Sequence, residues 1–422
     1  MPAHSLGPNL ELATPDRGMA TATRARGGPA VDAGARDQVV AVARRLDDAS
    51  WSRHWTSPDP YDGLNATRVP PPVRRSAMGM RLLTQAVKRS PLDLRPVLGI
   101  RPGLSAATLG LAISAYARNG FLEPTRARSR LEALLGQLDA LRCTSFVEPC
   151  WGYHFDVQTR VFFYPRTSPN TIATAFAALG LMDAHELAGL NGALDLAVGT
   201  GEFFLRHVGR RDDACFGYLP GDSTPIHNAN MLVCALLARL ARATGRRDLR
   251  EAATTGAHYT ARRQRPDGSW PYGEQPGLEW VDGFHTGYVL DSLLTCVECG
   301  VGDDELESAW HRGLRFYAEE LIEDDGLPRY TPSSRYPIDG QCAAQAIETL
   351  SRAADRAPHL AERRWAVFDY ARRRLMRRDG RFVLQRRKRW DNRTPSARWV
   401  QAPMLRALAA LARTPARSSH ST

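Results

Sequence analysis

The feature that most constrains this chain is a loop texture that keeps returning. A glycine, then aromatic residues and often a proline, comes before one apolar helical stretch after another. Examples are Gly152-Tyr153, Gly217-Tyr218, Gly268-Ser269-Trp270-Pro271-Tyr272, Gly326-Leu327-Pro328-Arg329-Tyr330 and Gly380-Arg381-Phe382. Successive copies lie about 50–65 residues apart, room for two helices and two loops, and self-similarity at one period marks a repeat architecture. Helical periodicity starts near Asp37 and sorts into two series. The stretches 75–89, 128–142, 193–208, 247–264, 303–322 and 359–376 are charged and amphipathic. The stretches 104–118, 169–188, 228–244, 285–299, 339–354 and 399–413 are rich in small apolar residues, and a helix apolar nearly all round is buried. Long β-alternation is absent. The pattern predicts an all-α fold, an α/α toroid of six helical hairpins, with the apolar series inside and the charged series outside.

One toroid domain is expected over 37–414, because its repeats share a core and none buries its face alone. The Gly-, Pro- and Ala-rich stretch 1–36 has no apolar segment of signal-peptide type and reads as a disordered leader, and 415–422 as a disordered tail. No run of ~20 apolar residues suggests a membrane span, so a cytoplasmic protein is expected. Seven irregularly spaced cysteines do not suggest a disulfide framework. Cys296 and Cys299 sit in an apolar helical run and read as buried helical cysteines rather than zinc ligands.

The segment Gln264-Arg265-Pro266-Asp267-Gly268-Ser269-Trp270 resembles the Q-x-x-x-G-x-W repeat motif of squalene cyclases and prenyltransferase-type toroids. A class II cyclase would carry a D-x-D-D acid, and this chain offers Glu323-Asp324-Asp325 at the wrong spacing. A closer resemblance covers about 145–412. The runs Cys150–Asp156, His227–Asn230, Trp280–Gly287, Tyr336–Asp339 and Arg398-Trp399 are similar to a bacterial family found among exopolysaccharide biosynthesis genes, often labelled prenyltransferase-like. More distantly the helical part resembles the catalytic domain of glucuronyl epimerases. Gly340-Gln341 stands where a histidine follows the Ile-Asp pair in that pattern.

In a toroid whose inner helices run parallel, the loops feeding their N-termini gather at one mouth, and functional residues concentrate on such loops. The 151–166 loop offers Trp151, Tyr153, Asp156 and Arg160; stacking on a sugar ring and packing within the loop both use such residues. His227, Asn228 and Asn230 open one inner helix, where polar groups either cap the helix or bind an anion. Trp280, Asp282 and His285 precede the next, as a base with its orienter or as a cap, with Trp270 and Tyr272 in the adjoining loop. Tyr336 and Asp339 repeat the theme, with capping the simple reading of Asp339. Arg398 and Trp399 close the series, near the basic run Arg386–Arg389, which suits either an anionic glycan or a solvated loop.

The net charge of +11 favours an anionic partner. With clustered aromatics it predicts a saccharide, anionic in character, rather than nucleic acid. The resulting expectation is a carbohydrate-active enzyme of bacterial polysaccharide metabolism that epimerises, eliminates or hydrolyses a uronate-containing glycan without metal or cofactor. His227, His285, Tyr153 and Tyr272 would move protons, Asn228, Asn230 and Arg398 would neutralise the carboxylate, and Asp156 with Asp282 would serve a hydrolase. The alternatives are a terpenoid cyclase or prenyltransferase-like enzyme and a non-catalytic glycan-binding toroid.

Overall fold

The computed structural model describes residues 33–158 and 163–413. In chain order its α-helices are α1 (Ala33–Trp51), α2 (Pro71–Arg74), α3 (Ala77–Arg89), α4 (Arg95–Leu98), α5 (Ala106–Arg118), α6 (Pro124–Ala140), α7 (Thr171–Ala188), α8 (Asn191–His207), α9 (His227–Thr244), α10 (Arg247–Ala261), α11 (Gly283–Glu298), α12 (Asp304–Glu320), α13 (Gly340–Ala353), α14 (Arg363–Arg374) and α15 (Ala402–Arg413). Helices α5, α7, α9, α11, α13 and α15 pack each on the next, and α15 returns to α5, so the inner ring closes. The outer helices α6, α8, α10, α12 and α14 each pack on the inner helix before them in sequence or on its neighbour. The chain is an all-α toroid.

Two details depart from the sequence reading. The first outer position does not belong to 75–89. Helix α1 packs on α15 through Val39, Val42, Ala43 and Leu46, all buried, and the Arg36 Nε donates to the Ala412 carbonyl at 3.0 Å. Helix α1 thus supplies the outer helix of the last hairpin and seals the ring. Helix α3 instead lies at the rim, against the short turn Asp62–Asn65 and against the strand Val157–Gln158. Helix α1 also begins at Ala33, inside the stretch read as leader. Residues 1–32 and the tail 414–422 lie outside the described residues.

Small residues let the inner helices touch. A Cβ on Gly110 of α5 would sit 2.1 Å from the Phe176 carbonyl oxygen, and one on Gly180 of α7 would sit 2.4 Å from that of Gly110. Only hydrogen fits there, which explains glycines inside helices that otherwise favour alanine. The seven cysteines are buried free thiols, Cys296 and Cys299 included.

Parallel inner helices gather their C-terminal ends at one side, where the summed helix dipoles are negative. Arginines close that end. Arg118 reaches Glu348 at 2.6 Å and Asp183 at 3.5 Å, Arg239 reaches Asp183 at 2.8 Å, and Arg406 reaches Glu348 at 3.0 Å. Burial pushes the Asp183 carboxyl up, but Arg239, Arg118 and Arg406 overcome it and hold it well below the usual carboxylate range. Burial wins at Asp291, whose carboxyl is pushed up to about 6. A pocket of about 170 Å³ remains among these side chains.

The strands are short and belong to the opposite end. They are β1 (Val157–Gln158), β2 (Phe163–Tyr164), β3 (Val208–Arg211), β4 (Cys215–Pro220), β5 (Ile338–Asp339), β6 (Gln385–Arg386) and β7 (Asp391–Asn392). Antiparallel pairs β1–β2 and β3–β4 and the ribbon β5–β6–β7 stiffen loops that lead into the N-termini of inner helices.

Candidate active site

The best-organised polar group at the mouth is Asp282 with His285. Asp282 is the N-cap of α11: its Oδ1 accepts from the His285 backbone N–H at 2.9 Å. Its Oδ2 faces the His285 Nδ1 at 2.7 Å and also accepts from the Trp280 indole N–H at 3.1 Å. One buried carboxylate therefore caps the helix, orients an imidazole and positions an indole. An acceptor at Nδ1 fixes the tautomer that carries its proton there and leaves Nε2 as the basic nitrogen. The Asp282 side chain is fully buried, whereas His285 keeps 20% exposure. Capping and orienting, posed as alternatives by the sequence, are done by the same residue.

Aromatic rings surround this pair. Tyr272 stacks on Trp280 at 4.5 Å with 13° between planes and lies 4.6 Å from the His285 ring. Phe284 meets Trp399 edge-on at 5.7 Å, and Trp399 meets Tyr61 at 5.6 Å. The Arg398 guanidinium lies 4.6 Å from the Trp399 ring and 4.5 Å from that of Tyr153. Tyr153 hydrogen-bonds Tyr218, which also bonds Tyr164. Burial pushes the hydroxyls of Tyr153, Tyr164, Tyr218 and Tyr272 above the usual phenol range, so all four are neutral at physiological pH. Side chains from five loops thus meet at one rim, where Trp280 is 40% exposed; exposed Tyr336 makes no ring contact with this group among the described residues. Aromatic faces beside a partly exposed imidazole suit a sugar ring.

Several residues singled out in the sequence have other work. His227 is 1% exposed and sits against α10, with Nδ1 3.3 Å from the Thr260 hydroxyl. Burial, helped by the Arg263 charge, pushes its pKa down to about 3. Glu274 does not rescue it: that contact is 3.6 Å, and Arg263 holds Glu274 at 2.7 Å. His227 is therefore neutral and packed against α10, not exposed at the mouth as the sequence reading expected, and its Nε2 has no hydrogen-bond partner among the described residues. Asn230 is a structural clamp, not a substrate ligand. Its Oδ1 accepts from the Phe216 N–H, and its Nδ2 donates to the Gly256 carbonyl and the Thr260 hydroxyl. Asn228 is also buried, and its Oδ1, like the His227 Nε2, has no hydrogen-bond partner among the described residues.

Arg398 is also corrected as a carboxylate neutraliser, because Asp59 already occupies its fork. Nε meets Oδ2 at 2.7 Å and Nη2 meets Oδ1 at 2.9 Å. Trp151 and Trp270 are almost fully buried. Their indoles donate to the carbonyls of Leu138 and Thr260, which makes them pins between helices rather than stacking platforms. Gln264 does the same within its motif, donating to the Gly268 and Ala309 carbonyls. Asp339 is the N-cap of α13, accepting from the Gln341 and Cys342 N–H groups and from the Gln385 amide. Asp156 accepts from the Arg166 N–H at 2.8 Å beside β1. Arg160 lies outside the described residues. The Glu323-Asp324-Asp325 run is no buried acid cluster: Arg329 and Arg335 hold Glu323, Arg335 holds Asp325, and the Asp324 side chain is fully exposed.

Asp59 and Tyr61 were not singled out from the sequence; Phe284 stood inside the Trp280–Gly287 run. Tyr164, Tyr218 and Tyr330 stood in the recurrent loops and were legible as aromatics. Asp59 carried no signal, since its partner lies 339 positions away.

No family model matches the chain, and no curated protein matches it in sequence. Solved structures do match in fold. The cellobiose 2-epimerase of Bacillus thermoamylovorans superposes with a TM-score of 0.57 at 10% identity, covering 72% of this chain and 87% of that one. A GH76 α-mannanase of Bacteroides thetaiotaomicron gives 0.57 at 13% identity, covering 73% and 86%. A possible GH105 member from Salmonella enterica gives 0.58 at 12% identity, covering 90% and 94%. At these identities the likeness is one of fold, and fold alone does not fix chemistry.

Proposed function

We propose that this chain is a carbohydrate-active enzyme whose reaction moves a proton at a sugar carbon, giving epimerisation or elimination. The observation that carries the reading is the Asp282–His285 pair set among stacked, partly exposed aromatics at the toroid mouth. An imidazole oriented through Nδ1 presents Nε2 to a substrate, in the position of a group that takes a proton from a sugar carbon and returns it. Tyr272 beside it supplies a neutral phenol as hydrogen-bond donor, and Trp280, Trp399 and Tyr61 supply ring faces. Structural neighbours named as sugar epimerases, a polysaccharide lyase and glycoside hydrolases support the substrate class.

Proton transfer ranks ahead of hydrolysis because three of the mouth's carboxylates, Asp282 of the expected hydrolase pair among them, are committed. Asp59 is clamped by Arg398, Asp282 holds His285 and caps α11, and Asp339 caps α13. Inverting hydrolysis needs one carboxyl free to protonate a leaving group and another free to activate water. The anionic character of the substrate rests on Arg387 beside Gln385 and on exposed Lys388 and Arg389 in the β6–β7 turn, and on Asn228 with its unmet acceptor. The biosynthetic setting rests on the resemblance in the sequence.

The test is to incubate the protein in deuterated water with neutral reducing oligosaccharides and with uronate oligosaccharides, and to follow ring protons by NMR. Deuterium entering one ring position supports the reading. Shortened glycans with every ring proton retained would favour hydrolysis. Bound but unchanged glycans would favour a non-catalytic binding toroid.

A further inference from the structure

The segment between the Asp62–Asn65 turn and α5 belongs to no hairpin of the ring. It runs as α2, α3 and α4 along the rim and carries an unusual share of the charge. From Ala66 to Pro102 it holds eight basic residues and one acidic residue, Asp93, in a chain whose total is +11. Of the eight, Arg95 is spent on buried Asp62, and Lys88 lies over the Tyr61 ring. Arg74, Arg75 and Arg89 are exposed.

Apolar side chains protrude from the same segment. Met78 and Leu82 are 62% and 63% exposed, and Leu92 and Val97 are each 73% exposed. A single exposed aliphatic residue on a surface needs no explanation, but these four fall within twenty positions. In α3 they follow helical geometry. Met78, Leu82 and Ala86, spaced i, i+4, i+8, form an outward stripe, while Thr84 and Val87 on the other side are buried. Arg75, Arg81 and Arg89 flank the stripe. A helix with apolar residues facing out between arginines has the make-up of one that lies in a lipid–water interface.

We propose that this rim segment docks the protein on an anionic phospholipid bilayer, with Met78, Leu82, Leu92 and Val97 entering the headgroup region and the arginines meeting lipid phosphates. Nucleic acid or an acidic polypeptide would satisfy the charge but gives no reason for aliphatic side chains more than three-fifths exposed. Among the described residues no helix is long and apolar enough to cross a membrane, so this is surface attachment. Tyr61 joins α3 to the site, since Lys88 of α3 lies over its ring and Trp399 lies against it. Docking therefore sets the mouth beside the bilayer, within reach of saccharides carried on lipid. The docking itself does not depend on the chemistry at His285.

The experiment is co-sedimentation of the full chain with vesicles of phosphatidylglycerol and phosphatidylcholine, against phosphatidylcholine alone. The chain should pellet with the anionic vesicles and stay in solution with the neutral ones. Met78→Gln with Leu82→Gln, and separately Arg74→Gln with Arg75→Gln and Arg89→Gln, should each weaken anionic-vesicle binding at least tenfold. All five side chains are exposed, so helical circular dichroism and melting should be unchanged. Three results overturn the proposal: a chain that ignores anionic vesicles, a Met78/Leu82 variant that pellets like the parent, or tighter binding to duplex DNA or polyglutamate that needs the same residues.

Discussion

Arg398 and Asp59 meet as a two-pronged ion pair although 339 positions separate them. The pair ties the loop after α1 to the turn that opens α15, where the two ends of the ring join. Burial pushes the Asp59 carboxyl up, and Arg398 more than offsets it, leaving the group below the usual carboxylate range. Removing one member of a buried pair strands a charge and costs about 3–5 kcal/mol, whereas an apolar replacement of both costs far less. Asp59→Asn should therefore lower the urea midpoint more than the double variant Asp59→Leu with Arg398→Met. Equal losses would show that the pair acts as an exposed one. Because the folded pKa is depressed, this contribution is present above ~3.9 and is lost as pH falls below it.

His227 makes a second pH-dependent prediction in a different window. Its pKa is about 3 in the folded chain and ~6.5 when unfolded. The unfolded chain thus takes up a proton between these values while the folded chain does not, and stability falls as pH drops from about 6.5 toward 3. At ~1.4 kcal/mol per unit the loss by pH 5 is on the order of 2 kcal/mol. Urea titrations at pH 7.5 and pH 5 should show this component in the parent chain and not in His227→Gln. An identical pH response in both would place the acid sensitivity elsewhere.

The helix contact at Gly110 and Gly180 can be tested by adding one methyl. Gly180→Ala gains about 0.8–1 kcal/mol of helix propensity but drives a Cβ to 2.4 Å from a backbone oxygen that cannot rotate away. A net destabilisation of about 1–3 kcal/mol is expected. Gly136, in outer helix α6, has nothing within 4 Å of an added Cβ, so Gly136→Ala should stabilise by about 0.4–1 kcal/mol. Thermal melting of the two variants should move in opposite directions.

The ring was legible in the sequence because its cause is local. Small apolar residues recur at helical spacing and Gly-aromatic loops recur between them, so each hairpin announces itself. The outer helix of the closing hairpin was not legible. Helices α1 and α3 are both amphipathic, and only the partner at the far end of the chain decides that α1 seals the ring and α3 lies on the rim. The site divides in the same way. Asp282 and His285 act through a spacing of three residues, which a sequence displays. Whether His227 faces the mouth or α10 depends on Thr260, 33 positions away, and the occupancy of Arg398 depends on Asp59. A histidine at the start of an inner helix is thus no sign of chemistry unless its partner lies on the same turn.

The most direct measurement compares His285→Gln with His227→Gln in deuterated water, using whichever saccharide the parent chain labels. Both variants should keep the helical circular dichroism of the parent. His285→Gln should lose ring-proton exchange by a factor of about 10²–10⁴, the usual contribution of a general base, while His227→Gln exchanges at close to the parent rate. Exchange that survives in His285→Gln, or is lost only in His227→Gln, would contradict the assignment of the proton transfer to His285.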